Sequence, residues 1–158
     1  MWESYIFDMR IIVDADSCPT KDIILEIAMK YNVAVVMYFD SSHDYINDYA
    51  TVKIVEKGFD SVDFYIIKDV CSSDFVVTQD YGLAALCLTK NVVVIHPNGF
   101  EFTTNNIDEL LNYRYLGHKS RLKNKHIKGP KKRIKEDDVN FYHLLEKLIL
   151  ARIDNYHH

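Results

Sequence analysis

Residues 11–20, IIVDADSCPT, run three apolar side chains into two aspartates and then into a Cys-Pro turn. An unbroken apolar run before such a turn reads as a strand buried on both faces, the kind a parallel sheet uses, and with Met9 and Arg10 it covers 9–13. Pro19 followed by Ile23, Ile24, Ile27 and Ala28 reads as an amphipathic helix with proline in its first turn. Strand, acidic turn and helix together open an α/β unit. Asp14 and Asp16 meet at the carboxyl end of the strand, where like charges raise one another's pKa or recruit a cation.

The same alternation continues outward. VAVVMYF at 33–39, TVKIVE at 51–56, DFVVTQ at 74–79 and NVVVIH at 91–96 read as four further strands. Helical patterns fall at about 60–70, 81–89, 105–113 and 136–154, with 40–49 a polar loop or short helix and HPNGF at 96–100 a turn. This pattern predicts an α/β fold: a Rossmann-like three-layer sandwich around a mostly parallel five-stranded sheet. Val139, Tyr142, Leu145 and Ile149 recur at helical spacing and read as the buried stripe of the last helix. A single domain is expected over 9–158, with 1–8 read as an extension and the terminal His157 and His158 given no role.

Composition narrows the classes. A chain of 158 residues with 48% hydrophobic and 27% charged residues is that of a globular domain with an ordinary core, neither disordered nor membrane-spanning. Its apolar runs are strand-sized, and the acids of MWESYIFD do not suit a signal peptide. Cys18, Cys71 and Cys87 are odd in number and form no CxxC pair, against a disulfide framework or a thiolate zinc site. The expectation is a cytoplasmic protein with no membrane contact.

Charge is unevenly placed. Residues 114–135 hold ten Lys or Arg and no acid, while the chain as a whole is −4. Such a block is either a solvated tail or a phosphate-binding segment, and Gly117, Gly129 and Pro130, with Tyr113, Tyr115 and Leu122, suggest a partly ordered one.

In an open parallel sheet, chemistry collects beyond the carboxyl ends of the strands where strand order reverses. With the order 3-2-1-4-5, Asp14 and Asp80 would end neighbouring strands about 5 Å apart. Asp60 and Asp63 open the helix after strand three, Asp60 suiting its N-cap and Asp63 its third position, from which Asp63 can point over the sheet edge. Carboxylates without thiolate or clustered histidine favour Mg²⁺ or Mn²⁺. Each acid also has a structural alternative: Asp16 as a helix cap, Asp14 as a loop acceptor. Asp74, at the start of strand four, should lie outside the site, and Cys18 reads as a buried small apolar residue.

IIVDADSCPTKDIILEIA, GFDSVDFYI, DFVVTQDYGLAALCL, HPNG with NIDELLNYR, and GPKKR before EDDVNF resemble the YaiI/YqxD family of uncharacterised bacterial proteins over nearly the whole chain from Met9, with Ser17 where alanine is usual. That family is similar in pattern to the PIN-like and NYN nucleases. The resemblance implies a PIN-like sheet ordered 3-2-1-4-5 and Mg²⁺ or Mn²⁺ held by Asp14, Asp16, Asp63 and Asp80, with Asp60 and Thr78 beside them.

The function expected is a metal-dependent phosphodiesterase acting on RNA, with DNA the second choice. Asp14, Asp16, Asp63 and Asp80 would be catalytic, and Arg114, Arg121, Lys131, Lys132 and Arg133 would hold the nucleic acid. A non-catalytic PIN-like RNA-binding module is the first alternative. A haloacid-dehalogenase-like phosphatase is the second, since IIVDAD fits its opening motif with Asp14 as nucleophile, although Cys18 stands where Thr or Val is usual.

Overall fold

The computed structural model describes residues 8–40, 44–56, 61–122 and 132–156, with the backbone course alone at 114 and 117–122. Eleven elements alternate along it: β1 (Arg10–Asp14), α1 (Lys21–Tyr31), β2 (Ala34–Asp40), β3 (Thr51–Val55), α2 (Val62–Asp69), β4 (Phe75–Val77), α3 (Tyr81–Leu88), β5 (Val93–His96), β6 (Phe100–Phe102), α4 (Ile107–Leu122) and α5 (Lys135–Tyr156).

The sheet is ordered β3-β2-β1-β4-β5-β6. Its first five strands are parallel and in the order expected. β1 is central, with Val13 opposite Met37 on one side and Val77 on the other. The strand order reverses between β1 and β4, so the switch point lies at the carboxyl ends of those two strands.

Period-two alternation sends the strand residues to two cores. Ile11, Val13, Val35, Met37 and Phe75 pack under α1 and α5, while Ile12, Val36, Val76 and Val94 pack under α2, α3 and α4. The result is the three-layer α/β sandwich that the sequence predicts.

Four details differ from the sequence reading. Phe100–Phe102 forms a sixth strand, antiparallel to β5, where only a turn was expected before the next helix. α4 runs nine residues past the expected end at 113, into the basic segment. β4 stops at Val77, so Asp80 does not end a strand but caps α3. The buried stripe of α5 is Phe141, Leu145 and Ile149, and Val139 is 46% exposed. Phe141 and Leu145, four apart, define that stripe, whereas Val139 lies half a turn before Phe141 on the other side of the helix.

At the amino end of the sheet Arg10 pairs with buried Asp74 at 2.8 Å and with Asp69 at 3.3 Å. Asp74 also accepts the Cys71 backbone N–H at 2.8 Å. This acid is therefore a structural acceptor at the edge opposite Asp14, as its place at the start of β4 predicts.

Candidate active site

β1 delivers Asp14 to the carboxyl edge, between the ends of β2 and β4. The Thr78 hydroxyl donates to Asp14 Oδ2 at 2.9 Å and accepts the Asp80 backbone N–H at 2.9 Å. A single hydroxyl thus links the ends of the two strands that flank the switch point. Asp80 then turns the chain into α3, its Oδ1 accepting the N–H groups of Gly82 at 2.9 Å and Leu83 at 3.1 Å. These are two of the donors a helix start leaves unpaired. Glycine at 82 suits this cap, because a Cβ there would stand 3.3 Å from Asp80 Oδ1.

Asp63 reaches the same place from the first turn of α2, one position earlier in the helix than expected, since the N-cap is Ser61. Its carboxyl is pushed up to about 6, by burial first, then by the charges of Asp80 and Asp14 and a hydrogen bond with Asp80. Two carboxylates can share a hydrogen bond only if one carries a proton. Burial also raises Asp14, opposed by the Thr78 hydrogen bond, with the charges of Asp80 and Asp16 adding to the rise. Beneath them Cys87 is pushed up to about 12, chiefly by burial and then by Asp63. Three acids therefore sit in one field, and a thiol below them stays protonated.

Asp16 is engaged differently. Both its oxygens accept the Asp40 backbone N–H, each at 3.2 Å, which ties the acidic turn to the end of β2. It does not cap α1, which begins at Lys21 with Thr20 as N-cap and no side-chain cap bond. Lys21 folds back instead, donating to the carbonyls of Ala15 at 3.1 Å and Cys18 at 2.7 Å. This lysine fixes the turn between Asp14 and α1, and nothing in its spacing marked it, because a lysine in a first helical turn normally reads as solvated. Cys18 is buried 3.4 Å from the Thr20 hydroxyl, with its thiol raised by burial.

The basic segment ends at the same edge. Arg133 donates to the Pro97 carbonyl at 3.1 Å and also to the Asn98 side chain and to Asp138. Its guanidinium thereby holds the turn after β5. Gly99, at φ +93°, completes the junction: a Cβ there would stand 2.5 Å from Asn140 Cβ and 2.7 Å from the Phe141 nitrogen. The turn at 96–99, Arg133 and the start of α5 at 138–141 thus meet in one joint. Lys132 is exposed. Asp60, Lys131 and the side chains of Arg114 and Arg121 lie outside the described residues.

His96, the last residue of β5, is a further residue at this edge. It is buried, its Nδ1 accepts the Asn98 N–H at 2.9 Å, and its ring stacks on Phe100 at 4.6 Å and meets Tyr81 edge-on at 6.1 Å. Its place at a strand's carboxyl end is the sequence signal that could have singled it out.

As a donor set, Asp14, Asp63 and Asp80 offer oxygen alone, which suits a hard cation. Among the described residues, no three Asp, Glu, His or Cys side chains are grouped so that they could hold a metal ion as they stand. Asp63 is raised to about 6, chiefly by burial, so a cation bound there would compete with its proton.

The model of the family described as "Uncharacterized BCR, YaiI/YqxD family" matches residues 12–151. The UPF0178 protein of Natranaerobius thermophilus is 48% identical over 143 residues, 90% of this chain and 97% of that one. That of Alkaliphilus oremlandii is 47% identical over 146 residues, 90% and 94% of the two chains, and UPF0178 protein NT01CX_0440 of Clostridium novyi is 44% identical over 141 residues, 89% and 95%. No solved structure matches the chain.

Proposed function

Since the chain belongs to the uncharacterised YaiI/YqxD family, whose name carries no reaction, we propose from its site that it is a metal-dependent phosphodiesterase acting on RNA. What supports the reading is one observation: Asp14, Asp63 and Asp80 come from three successive α/β units to the switch point, where burial and the neighbouring charges raise Asp14 and Asp63. A structural cap would need only one of them.

Mg²⁺ or Mn²⁺ bound there would activate a water and screen charge developing on the phosphorus. Asp14, Asp63 and Asp80 would hold it. Thr78 fixes the Asp14 carboxylate through its hydroxyl, and the Gly82 and Leu83 amides fix that of Asp80. Asp63, raised to about 6, gives up its proton close to neutral pH and so can also serve as an acceptor. Asp16 and Lys21 keep the turn between β1 and α1 in place. Arg133 holds the end of the basic segment to the turn after β5, with exposed Lys132 next to it in the chain.

That no three ligands are grouped among the described residues favours one alternative, a non-catalytic RNA-binding module. Incubating the protein with labelled single-stranded and structured RNA in Mn²⁺, Mg²⁺ or EDTA separates the two. Metal-dependent cleavage lost in Asp14→Asn and Asp63→Asn is the expected outcome. A gel shift that ignores metal, with no cleavage by the wild type, would defeat the enzyme reading.

A further inference from the structure

An open pocket of about 430 Å³ lies beyond the acids, between β6 and the first turns of α4, lined by Phe100, Asn106, Glu109, Leu110 and Tyr113. Its lining is mostly apolar, and Tyr113, 71% exposed, leaves much of its ring open to solvent there. Asn106 is spent on the wall: it accepts the Thr103 N–H and donates to the Glu101 carbonyl, both at 2.9 Å. Glu109 is then the charged group of the lining.

Two further observations say what enters. Tyr81, His96 and Phe100 form a row of rings, at 6.1 Å and 4.6 Å, that leads from the residue after Asp80 to the pocket wall. α4 runs from the pocket into the basic segment, with Glu109 its last acid and Arg114, Lys119 and Arg121 following in the helix. An occupant with a flat ring and an attached anionic chain fits both.

We infer that this pocket takes a guanine base of a single-stranded RNA, an inference that rests on the RNA reading above. Phe100 and Tyr113 supply faces for stacking, which every base can use. Glu109 supplies the selection, because a carboxylate accepts two hydrogen bonds side by side and guanine alone presents adjacent donors, N1–H and the 2-amino group. Cytosine and adenine pair one exocyclic donor with a ring acceptor, and uracil sets a lone donor between two carbonyls. The sugar and phosphates of the same strand would follow α4 towards its basic half.

The test is a fluorescence-anisotropy titration in EDTA, so that binding is read without cleavage. The probes are a short oligouridylate, the same oligomer with one central guanosine, and one with inosine in its place. Guanosine should raise affinity about tenfold, the low end of what a two-bond base contact gives, and inosine should recover only part of this. Glu109→Gln should bring the guanosine oligomer down to the level of the oligouridylate. Tyr113→Ala should weaken the guanosine oligomer by about fivefold or more through lost stacking, with an unchanged melting temperature. Equal affinity of the wild type for all three probes, or an unchanged guanosine preference in Glu109→Gln, overturns the pocket assignment and leaves the RNA reading standing. A wild type that binds none of the oligomers defeats the RNA reading, and the pocket with it.

Discussion

Asp63, at the start of α2, and Asp80, at the start of α3, share one electrostatic field: burial first, and then the charges of Asp80 and Asp14, push the Asp63 carboxyl up to about 6. The pair sits one hydroxyl away from Asp14, since Thr78 joins Asp14 to the Asp80 amide.

The first expected outcome is a pH-dependent gain from neutralising Asp63. Its folded pKa of about 6 exceeds the ordinary aspartate value of 3.8, so the folded state holds a proton that the unfolded chain releases between those values. Stability therefore falls as pH rises through that window and stays lower above it. With the carboxyl partly exposed and screened, the deficit at pH 7 is on the order of 1–2 kcal/mol. Asp63→Asn, which can still donate to Asp80, should recover it at pH 7 and gain nothing near pH 3. Urea melts at the two pH values check this; equal gains at both would mean that the charge of Asp63 plays no part.

Asp80 can be dissected by two substitutions. Asn keeps an oxygen for Gly82 and Leu83 and removes the charge, so Asp80→Asn should leave melting in EDTA unchanged or higher. Asp80→Ala also loses the cap, worth about 1 kcal/mol, and should melt below Asp80→Asn. Mn²⁺ should stabilise the wild type by about 2.7 kcal/mol at a hundredfold excess over Kd and do little for either variant. A wild type blind to Mn²⁺ would leave Asp80 as a helix cap alone.

The basic segment should divide by residue. Lys131→Gln with Lys132→Gln is expected to lower RNA affinity and flatten its salt dependence by about 0.7 per lost phosphate contact, with little change in melting. Arg133→Gln should in addition cost about 1–2 kcal/mol, because it strips hydrogen bonds from the turn after β5. Salt titrations and thermal melts read both effects. Were Arg133→Gln to melt with the wild type, the joint it makes would have no energetic weight.

Gly99→Ala should be strongly destabilising. The left-handed φ and the 2.5 Å approach to Asn140 act together, so a loss above about 2 kcal/mol is expected, with α5 displaced from the sheet. Hydrogen exchange at Phe141 and Leu145 would report that displacement as lost protection, and unchanged protection would mean that α5 tolerates the methyl group.

The order 3-2-1-4-5 was what the family resemblance implied, while the parallel core was legible because its strands are near-continuous apolar runs with helical patterns between them. β6 was not, since FEF is three residues long and its antiparallel pairing depends on the tight turn at 97–99, which a period cannot show. In α5 the stripe was read correctly at Leu145 and Ile149, with Tyr142 packed partly buried against the core, but Phe141 takes the place given to Val139, because a period alone does not choose between two apolar residues two apart. Asp14, Asp63 and Asp80 could be picked from their places at element ends. The commitment of Asp16 to Asp40, of Lys21 to two carbonyls and of Arg133 to the turn could not, because each depends on a backbone group far away or in an irregular loop.

The hydroxyl of Thr78 has one hydrogen, and giving it to Asp14 fixes the direction of everything behind it. The electropositive start of α3 is consequently divided between two tenants: Asp80 draws on it through the Gly82 and Leu83 amides, and Asp14 through the Asp80 amide and Thr78. Whatever pulls on either carboxylate pulls on the same helix end. The two acids should therefore respond to an approaching ligand as one polarisable unit rather than as independent side chains, and their spacing is governed by where α3 begins.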